Sequence, residues 1–154
     1  LRAKSKSAEV PQFEAAVRLC ASVAYTIQAE CLIDTLLAGA ELHSFAAWPK
    51  GARVDRVHEV LAGVEPSNVY DAEEIGPMLE ERFQETSEII FILLRWDATY
   101  RRLVELADRA GCHCTVIVVG GADTDAVPED DGWWGGAVQF VSAEAVLKGE
   151  VESL

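Results

Sequence analysis

Apolar and polar positions alternate along the chain in patterns that predict helices and strands in turn. Residues 13–27 place apolar side chains three and four positions apart, the period of a helix with one face against a sheet, and Pro11 then falls in its first turn. Residues 88–94 and 112–119 are short apolar runs of the kind that parallel sheets bury, and the first is expected to be the central strand. Residues 99–110, between them, have helical spacing.

Turn and capping signals divide the rest of the first half. Residues 31–45 contain two strands around Gly39, and because the break is too short for a crossover helix, they are expected to form an antiparallel hairpin. Helices are predicted over residues 53–64 and from Asp71 onward, although Pro77 could delay the start of the second one.

Several residues have the chemistry of helix ends. Asp97 is expected to cap the helix that follows it, and Gly111 to close that helix in the left-handed conformation. Residues 137–141 have the pattern of an edge strand, and Ser142 is expected to cap a short helix that ends at Gly149. The order of elements predicts an α/β fold of three layers, in which a mostly parallel sheet with one antiparallel strand lies between helices.

Composition narrows the class of protein. The 154 residues are expected to form one domain, residues 1–154, and the absence of an initial methionine indicates a fragment of a longer protein. No apolar run approaches the roughly 20 residues that span a bilayer, so no membrane insertion is expected from this segment. The net charge of −13 argues against nucleic acid as a partner. Four cysteines without a disulfide spacing indicate free thiols in a reducing compartment.

The chain contains no complete catalytic motif, and its most suggestive clusters have simpler explanations. Cys112, His113 and Cys114 resemble metal ligands, but alternation along a strand places the imidazole on the face opposite both thiols. The glycine pair at residues 120–121 does not continue into a phosphate-binding motif. The acidic loop that follows, residues 123–131, lacks the spacing of a calcium-binding loop.

Two groups of residues are candidates for binding. Arg95, Trp96 and Asp97 follow an apolar strand, at the edge where α/β folds bind their ligands. Asp97 there is either a helix cap or a nucleophile or base. Trp133 and Trp134 are adjacent, so they cannot both face a core from one strand, and one of them is expected either to anchor a partner or to cover a sheet edge.

Three stretches carry a resemblance to a known family: FEAAVRLCASVA at residues 13–24, IFILLRWD at residues 90–97, and LVELADRAG at residues 103–111. With the hairpin, they resemble the von Willebrand factor A-like domain of a bacterial domain-of-unknown-function family associated with MoxR-type AAA+ ATPases. The resemblance implies a Rossmann-like fold, a cytoplasmic location and a protein partner of the AAA+ class. It also implies that the parent protein contains membrane segments.

Domains of this type often bind Mg²⁺ through an Asp-x-Ser-x-Ser motif, and the matching residues here are degenerate. Ser5 and Ser7 are in register with the motif, but Ala3 replaces the first carboxylate, and the lysines at positions 4 and 6 add charge that opposes a cation. Asp97 follows its strand two or three positions later than the simplest alignment requires. We therefore expect no cofactor, with Mg²⁺ as the one ion that the resemblance would allow.

These observations predict a non-catalytic protein-interaction module with a degenerate metal-ion-dependent adhesion site. Its binding surface is expected at residues 3–7, 67–70 (with Asn68 and Tyr70) and 95–97, with the tryptophan loop as a second surface. The alternative is a small α/β enzyme or nucleotide-binding domain that uses Asp97.

Overall fold

The computed structural model describes residues 6–27, 33–38, 42–47, 59, 61–63, 72–120 and 138–151. The chain divides into two compact units, one formed by Leu1–Ala16 with Asp71–Leu154 and the other by Val17–Tyr70. The prediction of a single domain over residues 1–154 stays a prediction. None of the described helices is both long and apolar enough to cross a bilayer.

The larger unit is built on a parallel sheet of three strands. These are β3 (Glu88–Leu93), β4 (His113–Gly120) and β5 (Val138–Ser142), in the order β3-β4-β5. The α/β class and the parallel sheet are thus confirmed. In the described sheet the centre belongs to β4, so the prediction that residues 88–94 form the central strand is wrong there. An apolar run predicts that a strand is buried, but it does not show how many strands pair with it.

The sheet core lies in the second half of β4. Val116 and Val118 point to one face and Ile117 and Val119 to the other, and all four are at most 3% exposed. Burial on both faces is typical of parallel sheets that helices cover. Each such side chain stabilises the fold by roughly 1.5–3 kcal/mol relative to an exposed one. The pairing is staggered, because only residues 116–118 are paired with both β3 and β5.

Two helices of the larger unit pack against each other, α2 (Ala72–Glu85) and α3 (Ala98–Arg109). Leu103, Val104 and Ala107 form the buried stripe of α3, and this helix also contacts β4. Gly76 lies at the approach of the two helices, where a Cβ atom would meet Leu103 Cδ1 at 3.9 Å.

Helix α3 ends as its sequence predicts. Gly111 has a φ of 92°, and its N–H donates to the carbonyl of Asp108 at 2.9 Å. The N–H of Cys112 donates to the carbonyl of Ala107 at 3.1 Å, which completes a Schellman motif. The short helix α4 (Ala143–Lys148) begins at the Ser142 cap and ends at Gly149, with a φ of 73°, in the same way.

Two helices contain an interior proline. Helix α1 spans Lys6–Ile27, so Pro11 lies in its interior and not, as was predicted, in its first turn. Helix α2 begins at Ala72, directly after Asp71 as predicted, and continues through Pro77, so the alternative of a start near Pro77 is wrong. An interior proline costs about 3 kcal/mol, chiefly through one lost hydrogen bond and a clash with the preceding turn. Packing of the apolar face offsets this cost, since Ala15, Leu79 and Phe83 are all buried.

The smaller unit contains the predicted hairpin. Strands β1 (Ile33–Ala38) and β2 (Leu42–Ala47) pair antiparallel, with Ile33 opposite Ala47. They form a two-stranded sheet, so the prediction of an antiparallel strand within the parallel sheet stays a prediction. The second half of α1 packs Ala24 against Leu61, and residues 61–63 are helical within the predicted range 53–64.

Candidate functional site

The carboxyl ends of β3, β4 and β5 lie at one edge of the parallel sheet, the position at which open α/β folds bind ligands. Three of the predicted site residues are here: Arg95, Trp96 and Asp97 form the connection from β3 to α3. The structure therefore confirms their position at the strand ends, and their side-chain contacts define what this edge can do.

Asp97 is the N-cap of α3. Its Oδ1 accepts hydrogen bonds from the N–H groups of Thr99 and Tyr100, at 3.0 and 3.2 Å. The N–H of Arg101 donates to the Asp97 carbonyl at 3.0 Å, which closes the first turn. A carboxylate in this position satisfies amides that would otherwise lack a partner and interacts favourably with the helix dipole. The cap prediction is thus confirmed.

The second carboxylate oxygen faces an arginine. Arg95 Nε lies 3.2 Å from Asp97 Oδ2, and the two side chains are 58% and 45% exposed. Both oxygens of Asp97 are therefore engaged, one with backbone amides and one with a guanidinium group. The positive charge of Arg95 opposes the binding of a divalent cation at Asp97 Oδ2. Among the described residues, no group of three His, Cys, Asp or Glu side chains could hold a metal ion.

Two arginines lie over aromatic rings at this edge. Arg95 Cζ is 5.3 Å from the ring centroid of Tyr100, and Arg101 Cζ is 5.8 Å from that of Trp96. Both distances are within the range of cation–π attraction. The partners are five positions apart in each pair, because the connection folds back over the first turn of α3. Sequence reasoning identified Arg95 and Trp96 but missed Tyr100 and Arg101, since no helical or strand period gives a spacing of five.

Leu94 completes this surface, because it follows the last residue of β3 and is exposed, with a relative accessibility of 41%. We use the name edge patch for Leu94, Arg95, Trp96, Tyr100 and Arg101. The patch combines arginine, aromatic and aliphatic side chains, a composition that is enriched at protein–protein interfaces.

Gln12 joins α1 to the same edge. Its Nε2 donates to the carbonyl of Val119 at 2.7 Å and to the carbonyl of Leu94 at 2.5 Å. The second partner is the first residue of the edge patch. Gln12 was missed in the sequence because its partners are 107 and 82 positions away.

The register of β3 and β4 shows which main-chain hydrogen bond the Gln12 side chain replaces. The ladder begins with the His113 N–H donating to the Ser87 carbonyl at 2.8 Å, and it runs to the pair of Leu93 and Val118. Its next bond would be donated by the amide of Arg95 to the carbonyl of Val119. The chain leaves the sheet before that point, and the Gln12 amide occupies the vacant position. A buried carbonyl at the strand end is thereby satisfied.

The remaining predicted residues are not brought together by the described structure. Ser7 lies in the first turn of α1, while Ser5, Asn68 and Tyr70 lie outside the described residues. Trp133 and Trp134 also lie outside them. Their roles stay predictions.

The cysteines at the start of β4 are structural in their surroundings. Cys112 and Cys114 are buried and His113 is exposed, as strand alternation predicted. Cys112 Sγ donates to the carbonyls of Phe83 and Thr86 at 3.0 and 3.2 Å. Burial raises the pKa of Cys112, and it raises the pKa of Cys114 to about 11 with smaller contributions from Cys112 and Asp108. Thiols in this state are poor nucleophiles and poor metal ligands.

Comparison of the chain with models of protein families found no match, and searches of curated proteins and of solved structures found none either. The resemblance to von Willebrand factor A-like domains therefore rests on the three sequence stretches given above. The fold of the larger unit is compatible with a Rossmann-like arrangement.

Proposed function

We propose that the chain is a non-catalytic protein-interaction module that binds its partner through the edge patch. The observation that carries this proposal is the chemistry of the carboxyl edge of the sheet. The carboxylate of Asp97, which follows β3, is already engaged with two amides and Arg95. The exposed side chains beside it are an aliphatic residue and an arginine, with aromatic rings beneath. Such a surface suits binding by contact and not by reaction.

The resemblance to von Willebrand factor A-like domains supplies the rest of the proposal. It suggests a degenerate adhesion site, a cytoplasmic location in a membrane-anchored parent, and a MoxR-type AAA+ ATPase as the partner. The strand ends are where a domain of this type would meet that partner. The contacts of Asp97 favour its role as a cap, so the alternative of an enzyme based on Asp97 is not advanced as a second proposal.

Site-specific photo-crosslinking tests the proposal. A photoreactive phenylalanine derivative is introduced at Trp96 in one sample and at Met78, an exposed residue of α2, in the control. Each is irradiated with a purified MoxR-type ATPase from the same organism. We expect a crosslinked species from position 96 and none from position 78. Equal crosslinking from both positions, or none from position 96, would contradict the proposal.

A further inference from the structure

The charge of the edge patch is opposite to that of the chain. Residues 95–102 contain three arginines (Arg95, Arg101 and Arg102) and one aspartate (Asp97), so their formal charge is +2. The whole chain carries −13, and the residues outside this segment therefore carry −15. This local reversal of sign within a strongly acidic protein favours a negatively charged group at the patch.

The geometry of the arginines shows which negative group they suit. A guanidinium group that lies over an aromatic ring keeps the N–H donors of its edge for other acceptors, and their fork matches a carboxylate. Arg95 is 58% exposed, and its Nε is already 3.2 Å from a carboxylate oxygen of Asp97. Tyr100 supports the guanidinium of Arg95 from its ring face at 5.3 Å. Both contacts favour this orientation of the Arg95 side chain.

An apolar group stands beside these donors. Leu94 precedes Arg95 in the chain and is exposed at the strand end, with a relative accessibility of 41%. Its carbonyl is held by Gln12, which fixes the turn that carries both side chains. A ligand that contacts this turn therefore meets a donor for carboxylate and an aliphatic surface together.

We propose that the edge patch recognises an acidic segment of the partner protein, in which a glutamate or aspartate lies next to an apolar side chain. The carboxylate bonds to the guanidinium of Arg95, with Arg101 adding favourable charge, and the apolar side chain covers Leu94. The negative net charge of the chain disfavours docking of the same segment at its acidic residues, which adds to the preference for the patch. This inference rests on the proposed function and adds the chemistry of the partner.

The test uses the full chain, labelled with ¹⁵N, and two blocked peptides as probes. One peptide has the sequence Ala-Leu-Glu-Glu-Leu-Ala, and the other has glutamine in place of both glutamates. We expect the glutamate peptide to shift the Leu94 amide and the Trp96 indole resonances saturably, and the glutamine peptide to bind about tenfold more weakly. Raising the salt concentration should weaken the binding of the glutamate peptide and leave that of the glutamine peptide unchanged.

Variants separate recognition from folding. Arg95→Gln should weaken the glutamate peptide about tenfold, while Arg95→Lys should recover only part of the loss because ammonium lacks the planar fork. The matched control is Arg109→Gln, since Arg109 is also exposed and lies 3.8 Å from Glu105 in the last turn of α3. That variant should bind as the wild type does. Thermal unfolding of each variant confirms that it is folded.

Three results would overturn the inference: equal affinity for the two peptides, unchanged binding by Arg95→Gln, or no shift at about 10 mM peptide, where even millimolar affinity saturates. These results are distinct from failure of the proposed function. Crosslinking from position 96 with no preference for the glutamate peptide would retain the interaction surface and reject its chemistry. Glutamate-specific shifts without any crosslink would retain the chemistry and reject the ATPase as partner.

Discussion

The two ends of the parallel sheet are closed by different means. Where β3 and β4 begin, main-chain groups are hydrogen-bonded mainly to other main-chain groups: the His113 N–H donates to the Ser87 carbonyl, and the Cys112 N–H to the Ala107 carbonyl. Where the strands end, main-chain groups are hydrogen-bonded to the side chains of Gln12, Asp97 and Ser142. Main-chain bonds survive most substitutions, whereas side-chain bonds depend on single residues.

This difference predicts which end of the sheet is sensitive to the substitution of single residues. The beginning of the sheet is set by backbone pairing and by one buried thiol, so its exposed residues contribute little to its geometry. The end of the sheet owes its shape to three polar side chains from three parts of the chain. We therefore expect substitutions at the carboxyl edge to have large, individually separable effects, and those at the amino edge to depend mainly on packing.

The sharpest test of the comparison is Gln12→Glu. It replaces a donor with a carboxylate that faces the carbonyls of Val119 and Leu94, so we expect a loss of about 2–3 kcal/mol in the free energy of unfolding. Gln12→Ala should lose only about 1 kcal/mol, since it removes the bonds without adding repulsion. Denaturant unfolding measures both. The control Gln139→Glu alters an exposed glutamine of β5 and should change stability little. Equal losses for the two Gln12 variants would mean that the amide is not the essential group.

At the opposite end, Cys112→Ala should lose about 1–1.5 kcal/mol, because it removes a buried sulfur and its contacts with two carbonyls. Cys112→Ser should lose less, since a hydroxyl of similar size can donate to the same carbonyls. Thermal unfolding of the two variants provides the comparison. A serine variant less stable than the alanine variant would show that packing alone determines this position.

Asp97→Ala should lose about 1 kcal/mol through removal of the cap of α3. Asp97→Asn should lose only about a few tenths of a kcal/mol, because asparagine also caps helices well. This small loss includes the loss of the ion pair with Arg95. Denaturant unfolding distinguishes the two. Asp108→Ala is the control, as it removes an acidic side chain from the last turn of the same helix, where no loss is expected. A full loss in Asp97→Asn would assign the effect to the ion pair and not to the cap.

A pH dependence of stability is expected from the buried thiol of Cys114. Burial raises the pKa of Cys114 from 9.0 to about 11. Both states hold a neutral thiol below pH 9, and between pH 9 and 11 only the unfolded state ionises, so stability falls as the pH rises through this window. Unfolding at pH 8 and pH 10 should therefore show a smaller decline in Cys114→Ala than in the wild type. Identical declines would contradict burial of the folded thiol.

Local signals in the sequence predicted more than distant ones did. The caps at Asp97 and Ser142, the left-handed Gly111 and the alternation around His113 depend on neighbours within a few residues, and each was confirmed. Gln12 could not be found in this way, since its partners lie about a hundred positions away.

The errors have a physical cause of the same kind. Pro11 was expected in the first turn of α1, yet this helix begins at Lys6 and continues through the proline, because tertiary burial of its apolar face outweighs a local penalty. In the described sheet β3 lies at an edge, and the pattern of its own residues does not show how many strands pair with it. The spacing of Arg95 and Tyr100 arises from a turn whose path is set by the helix cap.

The stagger of the three strands has a consequence for hydrogen exchange. Residues 116–118 of β4 have a paired strand on each side, and their side chains are nearly inaccessible. Successive amides of a parallel strand point to opposite neighbours, so the ladder that begins at His113 directs the Ile117 amide to β3 and those of Val116 and Val118 to β5. The exchange of Ile117 should therefore follow the separation of β3 from β4, and that of Val116 and Val118 the separation of β5. The difference between these rates would show which neighbouring strand opens first.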